Sequence, residues 1–257
     1  MMNEHFWISD TQVKPNVYIE HMEAAGNYIA DKMPNVIIHG GDHWDMPSLS
    51  AWDSKAKKAE EGVDWLDDIE AGIMGLELLM APIEALNRKR KRKKLRPYKP
   101  RLEFLLGNHE DRITRYTDEH TECRKALNFD TLELKKFGWK VNPFLKILEI
   151  DGINYCHYFY NTNTGRALGG NCRNMLSTLG FSFTQGHRQG KDIAEKYLNN
   201  GKTTRGAIAG SFYQHDEEYK GPQGNDHWQG CLYKHEVKDG NYCLMELSLS
   251  YLLKQWI

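Results

Sequence analysis

Residues 4–42 read EHFWISDTQVKPNVYIEHMEAAGNYIADKMPNVIIHGGD, and this stretch decides the architecture. Residues 4–9 are a short apolar run of strand character that leads directly into Asp10. Asn16 is placed to cap a helix reaching Met33, because Val17, Met22, Ala25, Ile29 and Met33 recur on one face at the helical period. Pro34 ends that helix, and Val36-Ile37-Ile38 forms a second apolar strand that leads into Gly41-Asp42. Strand, helix and strand in succession make a β-α-β unit, which favours parallel pairing with a right-handed crossover. An open α/β sheet gathers its chemistry at the carboxyl ends of its strands, so Asp10 and Asp42 are expected along one edge.

Outward from this unit, a loop around 46–58 leads to a long helical pattern over 62–94, kinked at Pro82. Residues 102–106 read as a third strand and 111–127 as another helix. From Trp139 onward the pattern turns to strand: 141–150, a turn at Asp151-Gly152, then 153–160, a hairpin signature. Further strands are expected at 181–184, 207–212, 230–237 and 242–249, the last two joined at Asp239-Gly240. An α/β beginning followed by an antiparallel end predicts an α/β fold of two packed mixed β-sheets flanked by helices. Residues 1–257 are read as one domain, with a helical and basic insertion at about 60–101.

Composition narrows the function classes. The 257 residues are 40% hydrophobic and 27% charged, near ordinary globular usage, which argues against a disordered or fibrous chain. No segment approaches the roughly 18 uninterrupted apolar residues of a membrane span. The start, MMNEHFWISD, lacks a basic-then-apolar leader, so a cytoplasmic location without membrane attachment is expected. Five cysteines at scattered spacing, with no CxxC pair, point to reduced thiols and not to a zinc knuckle.

Three further strings belong with Asp10 and Asp42. They are Gly107-Asn108-His109-Glu110, His157, and Gly186-His187-Arg188-Gln189. Singly each has a bland reading: an Asp at a strand end is usually a turn residue, and a histidine within Tyr155-Cys156-His157-Tyr158-Phe159 is usually a satisfied core side chain. Their joint order is what carries information. Carboxylate and amide oxygens with imidazole nitrogens suit Mn²⁺, Fe²⁺ or Zn²⁺, and less selectively Mg²⁺. A pair of such ions, about 3.5–4 Å apart, holds a phosphoryl group while converting water to hydroxide at neutral pH, so phosphate ester hydrolysis is the matching chemistry.

This order resembles the calcineurin-like metallophosphoesterases, in particular the phage and prophage versions, over about residues 4–190, with GNHE as the most specific element. The resemblance implies a four-layer sandwich, one or two divalent ions, and a location in the host cytoplasm if the chain is phage-encoded. It implies that Asp42 bridges two ions as a catalytic metal ligand, that Asn108, His157 and His187 complete one shell, and that Asp10 binds the other ion. It makes His109 a catalytic residue beside the leaving group, donating a proton or stabilising charge. The family's first motif is usually DxH and its last GHxH, whereas this chain has Gln12 and Gln189 at those histidine positions. Both belong to the same metal, and amide oxygens there tilt the site from zinc or iron toward Mn²⁺ or Mg²⁺, with one tight and one weak binding event. Asn108, Arg112 and Arg188 are candidates for phosphate oxygens, the alternative for the two arginines being solvated salt bridges. His39 and His43 flank Asp42, but strand alternation points them away from it, and Asp45 is a candidate to support the site. The polar, aromatic segment 212–230, with Tyr213, His215, Tyr219, His227 and Trp228, is expected to wall a substrate cleft.

Charge suggests the substrate. The formal net charge is -1, yet residues 88–101 hold ten of the 34 Lys and Arg and no acid, leaving 24 basic against 35 acidic residues elsewhere. Arg88, Lys89, Arg90, Lys91, Arg92, Lys93 and Lys94 run without interruption. A basic helix end suits the macrodipole, but that rarely needs so many cations. Counterion release makes the run a handle for nucleic acid. It lies at the amino end of the 102–106 strand, opposite the metal-binding strings. A nuclease or other nucleic-acid phosphodiesterase is therefore the leading reading. A phosphatase or phosphodiesterase for small or protein-bound phosphates is second, and a non-catalytic nucleic-acid-binding protein with a degenerate site is third.

Overall fold

The β-α-β unit forms as its sequence requires. β1 (Asn3–Ile8) and β2 (Val36–His39) pair in parallel, Trp7 opposite Ile38, joined by α1 (Glu20–Lys32). The computed structural model describes residues 3–50, 64–216 and 227–257, so the expected Gly62 start of the long helix and the 51–58 part of its preceding loop lie outside the described residues. α1 begins later than Asn16 predicts, because Asn16 sits in the left-handed region at φ 63° and Ile19 occupies the N-cap without a side-chain bond. Met33 adopts the left-handed C-cap and is exposed, so it is not on the apolar face.

α2 (Trp65–Arg92) crosses from β2 to β3 (Arg101–Leu105); its N-cap Asp64 accepts from Leu66 N, and it runs unbroken through Pro82. A Cβ on Gly26 of α1 would lie 2.4 Å from Leu79 O of α2, so the two helices meet backbone to backbone there. β4 (Lys140–Asn142) extends the sheet beside β3. On the far side of β1, β10 (Gly230–Lys238) and β11 (Asn241–Ser248) add an antiparallel pair. The second sheet holds β5 (Leu148–Ile150), β6 (Ile153–Cys156), β7 (Phe183–Gln185), β8 (Lys191–Tyr197) and β9 (Thr203–Ala209), in the order β5-β6-β7-β9-β8. The remaining helices are α3 (Arg112–Glu119), α4 (Cys172–Leu179) and α5 (Leu249–Trp256).

Alternation builds the layers. Trp7, Ile38 and Leu105 of the first sheet pack against Ile153, Tyr155 and Ala207 of the second. Their chain neighbours Phe6, Ile37 and Phe104 face α1, α2 and α5 on the outer side. Both faces of the parallel strands are covered, which is why the apolar residues of Phe6–Ile8, Val36–Ile38 and Phe104–Leu105 run consecutively and do not alternate with polar ones. α4 covers Phe183 and Ile208 on the second sheet. The result is the expected pair of mixed sheets between helices. Among the described residues no helix is long and apolar enough to cross a membrane, and all five cysteines are free.

Several expected elements differ. The single strand over 141–150 is two strands in different sheets, β4 and β5, separated where Pro143 cannot donate and Leu145 turns to φ 62°. The helix over 111–127 ends at Glu119, where Thr117 Oγ1 bonds back to Ile113 O at 2.9 Å and His120 Nδ1 approaches Tyr116 O at 3.1 Å. The 153–160 strand stops at Cys156, and the 242–249 strand stops at Ser248, which caps α5 through Tyr251 N. The strand over 207–212 spans Thr203–Ala209 instead, while β8, α4 and α5 have no counterpart among the expected elements.

Polar groups also join the sheets, His5 Nδ1 lying 2.7 Å from Tyr155 OH and Trp7 Nε1 donating to Ala209 O at 3.0 Å. Lys234 of β10 is fully buried, donates to Thr184 Oγ1 and to Tyr155 OH at 3.3 Å, and lies 4.5 Å and 4.9 Å from the ring centroids of Tyr155 and Tyr242. Burial lowers its pKa well below the usual lysine range. Tyr155 and Thr184 stand on β6 and β7, whose following turns carry His157 and His187.

Candidate metal centre

Every string of the candidate metal set sits just beyond a strand, at the carboxyl edge of one sheet or the other. Asp10 and Asp42 follow β1 and β2, Asn108 follows β3, and His157 and His187 follow β6 and β7 of the second sheet. Asp10, Gln12, Asp42 and His187 have φ of 52°, 42°, 50° and 62°. Non-glycine residues occupy this region at a cost, and such strain gathers where surrounding structure holds a side chain for a task. The loops are laced by backbone bonds, Asp10 N to Gly41 O at 2.9 Å and Gln12 N to Asp42 O at 3.1 Å. A Cβ on Gly107 would stand 2.1 Å from Asp42 Oδ1, so only glycine lets the GNHE turn close on that carboxylate.

Asp42, His157 and His187 each offer a ligand atom within 4.8 Å of the others. His157 Nε2 lies 3.3 Å from Asp42 Oδ2 and 2.9 Å from Asn108 Oδ1. The other ring nitrogen, Nδ1, donates to Gly40 O at 2.8 Å, which fixes the tautomer and leaves Nε2 for the centre. Asp10 stands beside this group, not in it: its carboxylate accepts from His187 N at 3.1 and 3.0 Å and from Ser9 Oγ. Gln12 is buried, and its Oε1 has no hydrogen-bond partner. Gln189 is half-buried, and its side chain makes no hydrogen bond among the described residues.

His109 is held from behind. Its Nδ1 lies 3.0 Å from Asp45 Oδ1 and 2.7 Å from Asp45 O, while Nε2 stands 3.8 Å from Asp42 Oδ2. Asp45 thus backs His109, and is itself paired with Lys14 at 3.1 Å. Arg112 Nη1 donates to Asp45 O and Met46 O at 2.7 and 3.0 Å, placing Nη2 3.4 Å from His109 Nε2. Arg188 has its Nη1 on Gly170 O at 2.6 Å, on the chain entering α4, so that nitrogen is committed to backbone. Tyr213 is fully buried and belongs to the core, not to a cleft wall; His215, His227 and Trp228 are half-buried, and Tyr219 lies outside the described residues.

Two sets of long-range bonds frame the centre. The buried Glu110 carboxylate accepts four backbone N–H groups: Oε1 takes His43 N at 2.7 Å and Trp44 N at 3.1 Å, and Oε2 takes Asp42 N at 2.9 Å and Gly107 N at 2.8 Å. It clasps the Asp42 loop to the GNHE turn. Behind Asp42, His39 and His43 face away from the centre, as alternation predicts, and meet at Thr11. His39 Nδ1 accepts from Gly41 N at 3.2 Å, Thr11 Oγ1 lies 3.4 Å from His39 Nε2 and 2.7 Å from His43 Nδ1, and His43 Nε2 donates to Gly72 O at 2.8 Å. Burial holds both imidazoles in their neutral form, His43 down to about 4.

The charges favour a cation. Burial opposes ionisation of Asp42, but His157 and His109 outweigh it and hold the carboxyl well below the usual range. Burial likewise opposes charging His157, yet Asp42 prevails and raises it to about 9. Burial leaves His187 at about 4, neutral with a free lone pair, and raises Asp10 to about 7. His109 is raised, since Asp42 and Asp45 together exceed its burial. A proton on His157 therefore occupies the position that a metal ion would take. Carboxylate, imidazole and amide donors, a fixed His157 tautomer and an orphaned Gln12 oxygen fit a divalent ion. No protein-family model matches this chain, and no curated protein is similar enough to stand as a relative.

Proposed function

We propose that the chain is a metal-dependent phosphoesterase acting on phosphodiesters, with nucleic acid as the leading substrate class. The observation that supports this most is the meeting of Asp42, Asn108, His157 and His187 beside a His109 backed by Asp45. Asp42, His157, His187 and Asn108 would hold one divalent ion, and Asp10, Gln12 and Gln189 would lend oxygens to a second, weaker position that Mn²⁺ or Mg²⁺ suits best. Such an ion supplies Lewis-acid polarisation of a phosphoryl group and acidifies water to a nucleophile at neutral pH.

The protein's own groups do the rest. Asp45 keeps the His109 Nδ1 proton engaged, so Nε2 faces the reacting group and its proton passes to the leaving oxygen. Arg112 Nη2, beside that nitrogen, offers positive charge to a phosphate oxygen as the leaving group departs.

The test is a panel of bis- and mono-p-nitrophenyl phosphate and nucleic acid, run on chelated protein with Mg²⁺, Mn²⁺ or Zn²⁺ restored. Activity greatest with Mn²⁺, preference for the diester, and one tight plus one weak event in a metal titration are expected. His109→Gln should lower kcat about 10²–10⁴-fold while leaving metal binding intact. No hydrolysis with any ion, or an Asp42→Asn variant that binds metal normally, would overturn the reading.

A further inference from the structure

The basic end of α2 is remote from the metal centre by two separate measures. Near its start the helix is fastened to the Asp42 loop, where Trp44 Nε1 donates to Ile69 O at 3.2 Å and His43 Nε2 to Gly72 O at 2.8 Å. From Gly72 to Arg88 the helix travels about 24 Å at ~1.5 Å per residue. Along the adjacent strand, Arg101 to Asn108 covers about 23 Å at ~3.3 Å per residue. The far end is pinned at the amino edge of the sheet, with Arg90 Nη1 3.7 Å from Met33 Sδ and Tyr98 OH donating to Pro34 O at 2.7 Å.

This end is built, not frayed. Asn87 Nδ2 donates to Tyr98 O at 2.9 Å and Asn87 Oδ1 accepts from Tyr98 N at 2.7 Å, so one side chain splices the outgoing loop to the helix. Arg90 Nε donates to Arg96 O at 2.7 Å. Arg88, Lys91 and Lys94 line a groove of about 640 Å³ with Leu95 and Pro97. Glu84, the acid in that groove, lies 3.6 Å from Arg88, and among the described residues no other member of 88–94 has an acidic partner. Like charges three and four apart on a helix repel, and a macrodipole needs one or two cations, so the fold leaves most of this charge uncompensated. A polyanion supplies the compensation from outside.

We propose that the basic end of α2 is a docking site for a nucleic-acid phosphate backbone, separate from the metal centre, so that only substrates above a threshold length engage both. The docking half stands on the geometry above; the threshold in turnover rests on the phosphoesterase reading. A straight span of about 23 Å is some seven base pairs at ~3.4 Å each, and a path over the surface raises this toward about ten.

The experiment compares the full-length protein with an Arg88→Gln/Lys91→Gln/Lys94→Gln variant on duplexes from about 4 to about 20 base pairs. Binding is followed by fluorescence anisotropy in chelator and cleavage in Mn²⁺. In the variant, affinity for long duplexes should fall about 100-fold and the slope of log affinity against log salt should shrink by about three. Cleavage of the shortest duplexes, and turnover of bis-p-nitrophenyl phosphate, should be unchanged. Binding that is independent of length, unaltered in the variant, or stronger to anionic vesicles than to DNA would overturn the proposal. An inactive wild type that still binds long duplexes through these residues would refute the phosphoesterase reading and leave the docking site standing.

Discussion

Replacing Glu110 by Gln changes a single atom type and should disable the centre. Each carboxylate oxygen takes two backbone N–H groups, Asp42 and Gly107 on one, His43 and Trp44 on the other. An amide has one oxygen, so whichever way it turns, two buried N–H groups lose their acceptor and face an NH₂ instead. Hydrogen bonds to a charged acceptor contribute about 1.5–3 kcal/mol each, so the variant should lose about 3–6 kcal/mol. For a chain of this size about 1 kcal/mol moves Tm by 2–4 °C, which puts the expected drop at about 6–24 °C. Metal affinity should also weaken about 10- to 100-fold, because the loop carrying Asp42 is no longer held. Calorimetric melting of the chelated protein and titration with Mn²⁺ read the two effects separately, with the exposed Glu149→Gln as control. A Tm within about 3 °C of wild type together with an unaltered Kd would show that the clasp does not hold the loop.

The His157–Asp42 pair predicts two pH effects of opposite sense. His157 is raised from 6.5 to about 9 only in the folded, metal-free protein, so the folded form holds an extra proton across that window. Stability of chelated protein should be highest below about 6.5 and decline as pH rises through about 9, which melting at a series of pH values checks. Metal must displace the same proton, so affinity should rise with pH and level off near 9, with about one proton released per ion in calorimetry across buffers; a pH-independent Kd would refute this. Thr11→Val should cost about 1–3 kcal/mol, because His43 Nδ1 loses its partner at 2.7 Å, while Thr11→Ser restores most of it. Equal melting of the Val and Ser variants would remove the hydroxyl from the account.

The parallel half of the fold was legible because its strands are apolar on both faces and are separated by a long amphipathic helix. The order of the metal-binding strings followed, since each begins where an apolar run stops. The split between β4 and β5 was hidden because both halves of 141–150 have strand composition, and only a switch of sheets distinguishes them. β8 escaped because KDIAEKY is an edge strand, and its charges read as loop. Asn16 looked like a cap, but the left-handed turn it adopts moves the helix start beyond it. Glu110, Thr11, His39 and His43 carry long-range bonds to backbone or to one another, and no local spacing encodes such partners.

β1 lies between β2 and β10, so the strand that leads into Asp10 has one neighbour made soon after it and another made far downstream. On the ribosome its outer edge stays bare until the β10–β11 hairpin emerges, a non-local closure of the kind that slows folding. All the metal-binding strings lie upstream of that hairpin, yet a truncated product ending before it would have an open, apolar sheet edge and no Lys234 between the sheets. A chain interrupted between β9 and β10 should therefore aggregate before the candidate centre is framed from both sides.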